Sequence, residues 1–139
     1  MTLHLIKLSV GTEDVADLRQ WQAERLRATG RLFHRTRMMP RRRNELLAGG
    51  SIYWVIRGQV LCRQRLVGIK PVVDGDGRPD THLLLAPPLV PTVPRPHRPF
   101  QGWRYLAGQE APPDLADLPA GARDMPPAMA AELRALGLL

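Results

Sequence analysis

Hydrophobic and polar positions change their period several times along the chain, and each change marks an element. Leu3 to Val10 alternates loosely, as a strand does. Gly11 and Thr12 offer a turn and an N-cap, and Glu13 and Asp14 put acids where a helix dipole favours them. Val15, Leu18, Trp21 or Gln22, and Leu26 then recur along one helical face. Gly30 suits the position just past the end, so a helix is predicted over 13–28. Leu32 to Met39 alternates apolar residues with Arg or His and predicts a second strand. Pro40 can open a short helix from Arg41 to Ala48, with Leu46 and Leu47 toward the core, and Gly49-Gly50 ends it. Ser51 to Arg57 is a strong strand pattern, with Ile52, Trp54 and Ile56 on one face and Tyr53, Val55 and Arg57 on the other. Gly58-Gln59 predicts a type II′ hairpin turn, after which Val60 to Ile69 returns. Its Val60, Cys62, Gln64 and Leu66 share one face, and Leu61, Arg63 and Arg65 share the other.

Asp74-Gly75-Asp76-Gly77 marks a loop tip, and Thr81 to Ala86 a further strand. Six prolines in 87–99 exclude a helix or a central strand and require extended chain. Phe100 to Leu106 reads as a last strand. From Gly108 onward Pro, Ala and Asp dominate, with a short terminal helix over 127–137. About six strands and two or three helices, with hairpins in the middle, predict an α+β fold. The expected architecture is a small, mostly antiparallel β-barrel with flanking helices. A single domain is expected over 1–107, followed by a loosely packed Pro/Ala-rich acidic tail over 108–139.

Charge changes this picture more than composition does. The 139 residues are 44% hydrophobic, which is ordinary for a folded domain, but they carry a net +7. That charge is unevenly spread. Residues 31–65 hold nine arginines against the single acid Glu45, residues 95–105 add Arg95, Arg98 and Arg104, and residues 106–139 are acidic by three. Such a balance favours polyanionic partners, RNA first. The single Cys62 excludes an internal disulfide and a cysteine-built zinc site, and points to the reducing cytoplasm. Met1 to Val10 lacks the form of a signal peptide, and no run approaches a membrane helix, so no membrane partner is expected.

Within the basic segments, cations that neutralise phosphates stand beside aromatic faces that stack on unpaired bases. The residues expected to contact nucleic acid are Arg35, Arg37, Arg41, Arg42, Arg43, Tyr53, Arg63, Arg65, Arg98, Trp103 and Arg104. Phe33 and His34 belong to the same basic–aromatic set. The run Pro94 to Tyr105 reads in two ways. It is either a rigid loop presenting Arg95, His97 and Arg98 to a ligand, or a plug in which Phe100 and Trp103 fill one end of the barrel. Glu45 close to Arg41 and Arg42 has the spacing of a helix-surface ion pair. The four histidines show no metal-ligand spacing, and Asp74, Asp76 and Asp80 lack the Gly and Glu of a calcium loop. Neither metal nor cofactor is expected, and no catalytic set is legible. A binding role is expected over a reaction. Two alternatives stay open: an enzyme acting on a nucleotide or phosphorylated small molecule, and a protein-interaction module using 87–99 or the tail.

Leu3-His4-Leu5-Ile6-Lys7-Leu8, the block from Arg37 through Gly58, Arg63-Gln64-Arg65, and Arg98 through Leu106 resemble a bacterial family of unknown function, DUF1489, over most of residues 1–113. The resemblance brings no activity. A second similarity concerns fold. The succession Phe33–Arg37, Arg41–Gly50, Ser51–Arg57 is similar to the PUA and ASCH superfamily, small β-barrels that mostly bind RNA or modified bases. That similarity implies a cleft near Arg41, Gly49, Gly50, Ser51 and Tyr53, with His97 and Gln101 also expected to line it. The Lys-Thr-x-Glu-x-Arg run usual there is replaced by Ser51-Ile52-Tyr53-Trp54-Val55-Ile56-Arg57, so only the scaffold and the cleft's position carry over.

Overall fold

A computed structural model of the chain describes residues 2–118. In chain order they form β1 (Leu3–Leu8), α1 (Val15–Thr29), β2 (Phe33–Thr36), α2 (Arg43–Leu47), β3 (Ser51–Ile56), β4 (Gln59–Val73), β5 (Pro79–Leu85), β6 (Val90–Pro96) and β7 (Trp103–Ala107). Short 3-10 turns follow at Gly108–Glu110 and Leu115–Asp117. The helix starts two residues later than a Thr12 cap would place it. Asp14 is the N-cap, its carboxylate accepting from the Asp17 N–H at 2.7 Å, while the Thr12 hydroxyl donates to Ser9. At the β3–β4 hairpin Ile56 pairs with Gln59, so the two loop residues are Arg57 and Gly58. Both have positive φ, 51° and 81°, which is the type I′ pattern in place of the expected II′ turn at Gly58-Gln59.

The fifteen-residue β4 organises the sheet. Its first half pairs with β3 on one edge and β6 on the other, and its second half pairs with β5. β1 lies between β3, to which it is parallel, and β7, to which it is antiparallel, while β2 adds to the far edge of β5. The Pro-rich segment is therefore extended chain that pairs in register with β4, as six prolines require. The order β2-β5-β4-β3-β1-β7 does not close among the described residues, which corrects the expected barrel. Closure would need pairing onto β2, which is only four residues long. α1 packs beside it with Leu18 and Gln22 buried.

The two sheet faces bury different sets. Leu3, Leu5, Ile52, Trp54, Ile56, Cys62 and Leu66 face Leu18 of α1, Leu46 of α2, and Leu83 and Leu85 of β5. On the other face Ile6, Tyr53, Val55, Val60 and Leu106 form a smaller cluster capped by Phe100 and Ala111. Among the described residues, the stretch 108–118 after β7 is tied to the sheet. Gly108 N–H donates to the Thr2 carbonyl, Val93 N–H donates to the Pro113 carbonyl, and Asp114 bridges to Thr92. The expected helix over 127–137 lies outside the described residues.

Candidate nucleic-acid interface

The gap beside β2 is a hollow of about 230 Å³. Its walls are the end of β1 (Lys7, Leu8), the turn Ser9 to Thr12, one flank of α1 (Leu18, Trp21, Gln22, Arg25), Phe33 and His34 of β2, Trp54 and Leu85. Alternation explains the meeting: Lys7 and Trp54 are register partners on one face of the sheet. Helical spacing puts Leu18, Trp21, Gln22 and Arg25 on the flank turned to them. Gln22 and Gln64 lock the helix in place by exchanging amide hydrogen bonds of 2.8 and 2.9 Å in the interior. The Trp54 indole N–H also donates to Gln64, at 3.4 Å.

The lining contains two cations and no carboxylate. Burial pushes the half-buried Lys7 ammonium down from its ordinary range. Burial, with Lys7 and Arg25 nearby, takes the His34 ring down to about 4, so it is uncharged at neutral pH. His34 stands edge-on to Trp54, with centroids 5.2 Å apart, and its Nε2 is buried without a hydrogen-bond partner among the described residues.

Trp21, Arg25 and Phe33 separate this hollow from a second, more open one lined by Glu24, Ala28, Thr29, Arg35 and His82. The Arg25 guanidinium lies 4.5 Å from the Trp21 ring centroid and 5.2 Å from that of Phe33, and it donates to the Phe33 carbonyl at 3.3 Å. Phe33 in turn stacks on His82 at 4.1 Å and 15°. Trp21 is 52% exposed, so this cation–aromatic partition presents a large ring to solvent. The two hollows and their shared wall form one groove along α1.

A family model described as "Protein of unknown function (DUF1489)" matches residues 5–139. The chain belongs to that family. The match runs through the tail beyond 113, past the part that carried the resemblance. No curated protein and no solved structure matches the chain.

In this DUF1489 protein the expected contact residues do not converge. Arg35 borders the open hollow but is paired with Asp80, and Arg37 is paired with Asp74 at 2.7 Å. Arg42 pairs with Glu45 and lies over the Tyr105 ring, while Arg41 and Arg43 are exposed beside it. Glu45 is thus an ion-pair partner, to Arg42 and not Arg41, and the contact pulls its carboxyl below its ordinary range. Arg63 makes a two-pronged contact with Asp114, 2.7 Å on each side, and donates to the Ser51 hydroxyl at 3.0 Å. Arg65 and Arg98 are exposed, and Arg104 lies over Phe100. Tyr53 is buried in the minor core, and Trp103 packs on the main core with its N–H donating to the Met38 carbonyl.

Of the residues expected to border a cleft, Gly49 and Tyr53 line a hollow of about 330 Å³ together with His4, Arg63, Asp114 and Asp117. Two of its walls are acids of the C-terminal segment, which disfavours a polyanion there. Gly50 and Ser51 are buried beneath it, with the Ser51 N–H donating to His4 Nδ1. His97 and Gln101 lie elsewhere, at the end of β6 and in the loop before β7. His97 contacts Phe100 edge-on, and Phe100 packs on the minor core while Trp103 packs on the main core, so the two rings do not fill one barrel end together. Lys7, Trp21 and Arg25 escaped the sequence reading because each is an isolated residue in a charge-balanced stretch. One signal was available: Trp21 and Arg25 are four apart on the helical face that also carries Leu18.

Among the described residues no helix is long and apolar enough to cross a membrane, and no group of three or more His, Cys, Asp or Glu could hold a metal ion.

Proposed function

We propose that the protein binds RNA, taking single-stranded nucleotides along the groove between α1 and β2, in the cytoplasm. The observation that carries this reading is the Trp21–Arg25–Phe33 partition, an exposed aromatic and a guanidinium set between two hollows, with Lys7 on one side and Arg35 on the other. Single-stranded nucleic acid is held by such pairings, with aromatic faces stacking on bases and cations tracking the backbone. Binding is the role that stacking and positive charge in the groove support.

A filter-binding titration of a short oligoribonucleotide over salt concentration tests this. Each phosphate neutralised on a single strand contributes about −0.7 to the slope of log affinity against log salt, so two contacts give a slope near −1.4 or steeper. A flat dependence contradicts the proposal.

A further inference from the structure

We infer that the smaller hollow beside Trp21 is a seat for one nucleotide unit, its base against the tryptophan rings and its phosphate on Lys7. The inference deepens the RNA reading of the same groove and rests on it for the class of ligand.

Three observations carry it. The first is charge. Lys7 is half-buried, and among the described residues its ammonium has no ion pair or hydrogen bond. The lining offers Arg25 as a second cation and no acid to balance either. A partly desolvated ammonium without a counterion is unfavourable, and an anionic ligand relieves that cost. The second is shape. About 230 Å³ lies below the ~300–1,000 Å³ of pockets that enclose drug-sized molecules, so the space suits one ring system. Trp21 and Trp54 provide flat apolar walls for it, with the Phe33 ring alongside. The third is a vacant hydrogen-bond position. His34 lines the hollow, and its buried Nε2 has no partner among the described residues. A base edge carries the complementary groups, and leaving such a nitrogen unpaired is costly. Charge, size and a single polar position together describe a base with one phosphate, whether a free mononucleotide or an unstacked residue of an RNA chain.

The test uses the full chain and its tryptophan fluorescence, since Trp21 and Trp54 both line the hollow. Each of the four ribonucleoside 5′-monophosphates is titrated beside its nucleoside, on wild type, Lys7→Met and Lys7→Arg, with oligo(U) as competitor. At least one monophosphate is expected to bind roughly tenfold tighter than its nucleoside, the scale of one charged hydrogen bond. Lys7→Met is expected to erase that difference and Lys7→Arg to keep it, which separates loss of charge from loss of fold. No binding by any monophosphate, or equal binding of nucleotide and nucleoside, overturns the inference. Oligo(U) binding that monophosphates fail to compete and Lys7→Met leaves unchanged overturns the seat but spares the RNA groove. Monophosphate binding without any oligonucleotide binding keeps the seat and removes the RNA reading.

Discussion

Unfolding would return the His34 ring from about 4 toward its ordinary 6.5. Between those values the unfolded chain binds a proton that the folded chain refuses, so stability falls as pH drops through that window. The contribution is fully present above 6.5, absent below about 4, and worth up to ~3 kcal/mol. Thermal melts from pH 7.5 to 4.5 are expected to show a smaller decline for His34→Phe than for wild type. A small slope remains, because burial also lowers His4 and His82. Equal slopes would mean that His34 is not the buried neutral group described. Gln22 and Gln64 behave as a pair in the same interior. Gln22→Leu strands the Gln64 amide and is expected to cost ~1–3 kcal/mol in urea denaturation, part of which Gln22→Leu with Gln64→Leu restores. Alternation placed Gln64 and Cys62 inward, and both are fully buried. The Cys62 thiol, pushed up to about 12 by burial, is in keeping with an inert core residue. What alternation could not reveal was that Gln64 meets a polar partner forty-two positions away, because a pattern of faces carries no information about which face it meets.

At the scale of elements, the α2–β3 connection depends on one glycine more than on the other. A Cβ on Gly50 would stand 2.3 Å from the Leu3 carbonyl oxygen and 2.4 Å from that of Leu46, both backbone atoms that cannot step aside. Gly50→Ala is therefore expected to lose more than ~3 kcal/mol or to prevent folding, as read by urea midpoints. Gly49→Ala meets open space and suffers only from its φ of 102°, so it is expected to cost ~1–3 kcal/mol. The Gly49-Gly50 pair was legible as a helix stop, but the approach of β1 that makes Gly50 indispensable is tertiary. The segment after β7 follows the same logic. Composition suggested a loose tail, yet Asp114 holds Arg63 across fifty-one positions. Asp114→Asn is expected to destabilise by ~1–3 kcal/mol while leaving oligonucleotide affinity within about twofold, because Arg63 contributes to packing and not to the groove. A matching loss of affinity would return Arg63 to the binding surface.

Over the whole molecule, the arginine clusters legible in the sequence scatter on folding. Arg41 and Arg43 sit at α2, Arg63, Arg65 and Arg104 lie on the sheet face that the C-terminal segment partly covers, and Arg35 and Arg37 pair with acids of β5 and its turn. The strands themselves were readable because period and turn residues are local. The open sheet was not, since which edges meet is decided by the long β4 and by the placement of α1. The candidate groove is likewise non-local, drawing Lys7 from β1, Trp21 and Arg25 from α1, and Phe33 and His34 from β2. Its claim against the clusters can be tested at constant net charge. Lys7→Gln with Arg25→Gln and Arg41→Gln with Arg43→Gln each remove two positive charges, so general attraction to RNA falls equally and only position differs. Oligoribonucleotide affinity measured side by side on the two double variants is expected to drop roughly tenfold or more for the first and no more than about threefold for the second. Equal losses, or the larger loss at Arg41 and Arg43, would contradict the groove as the binding site.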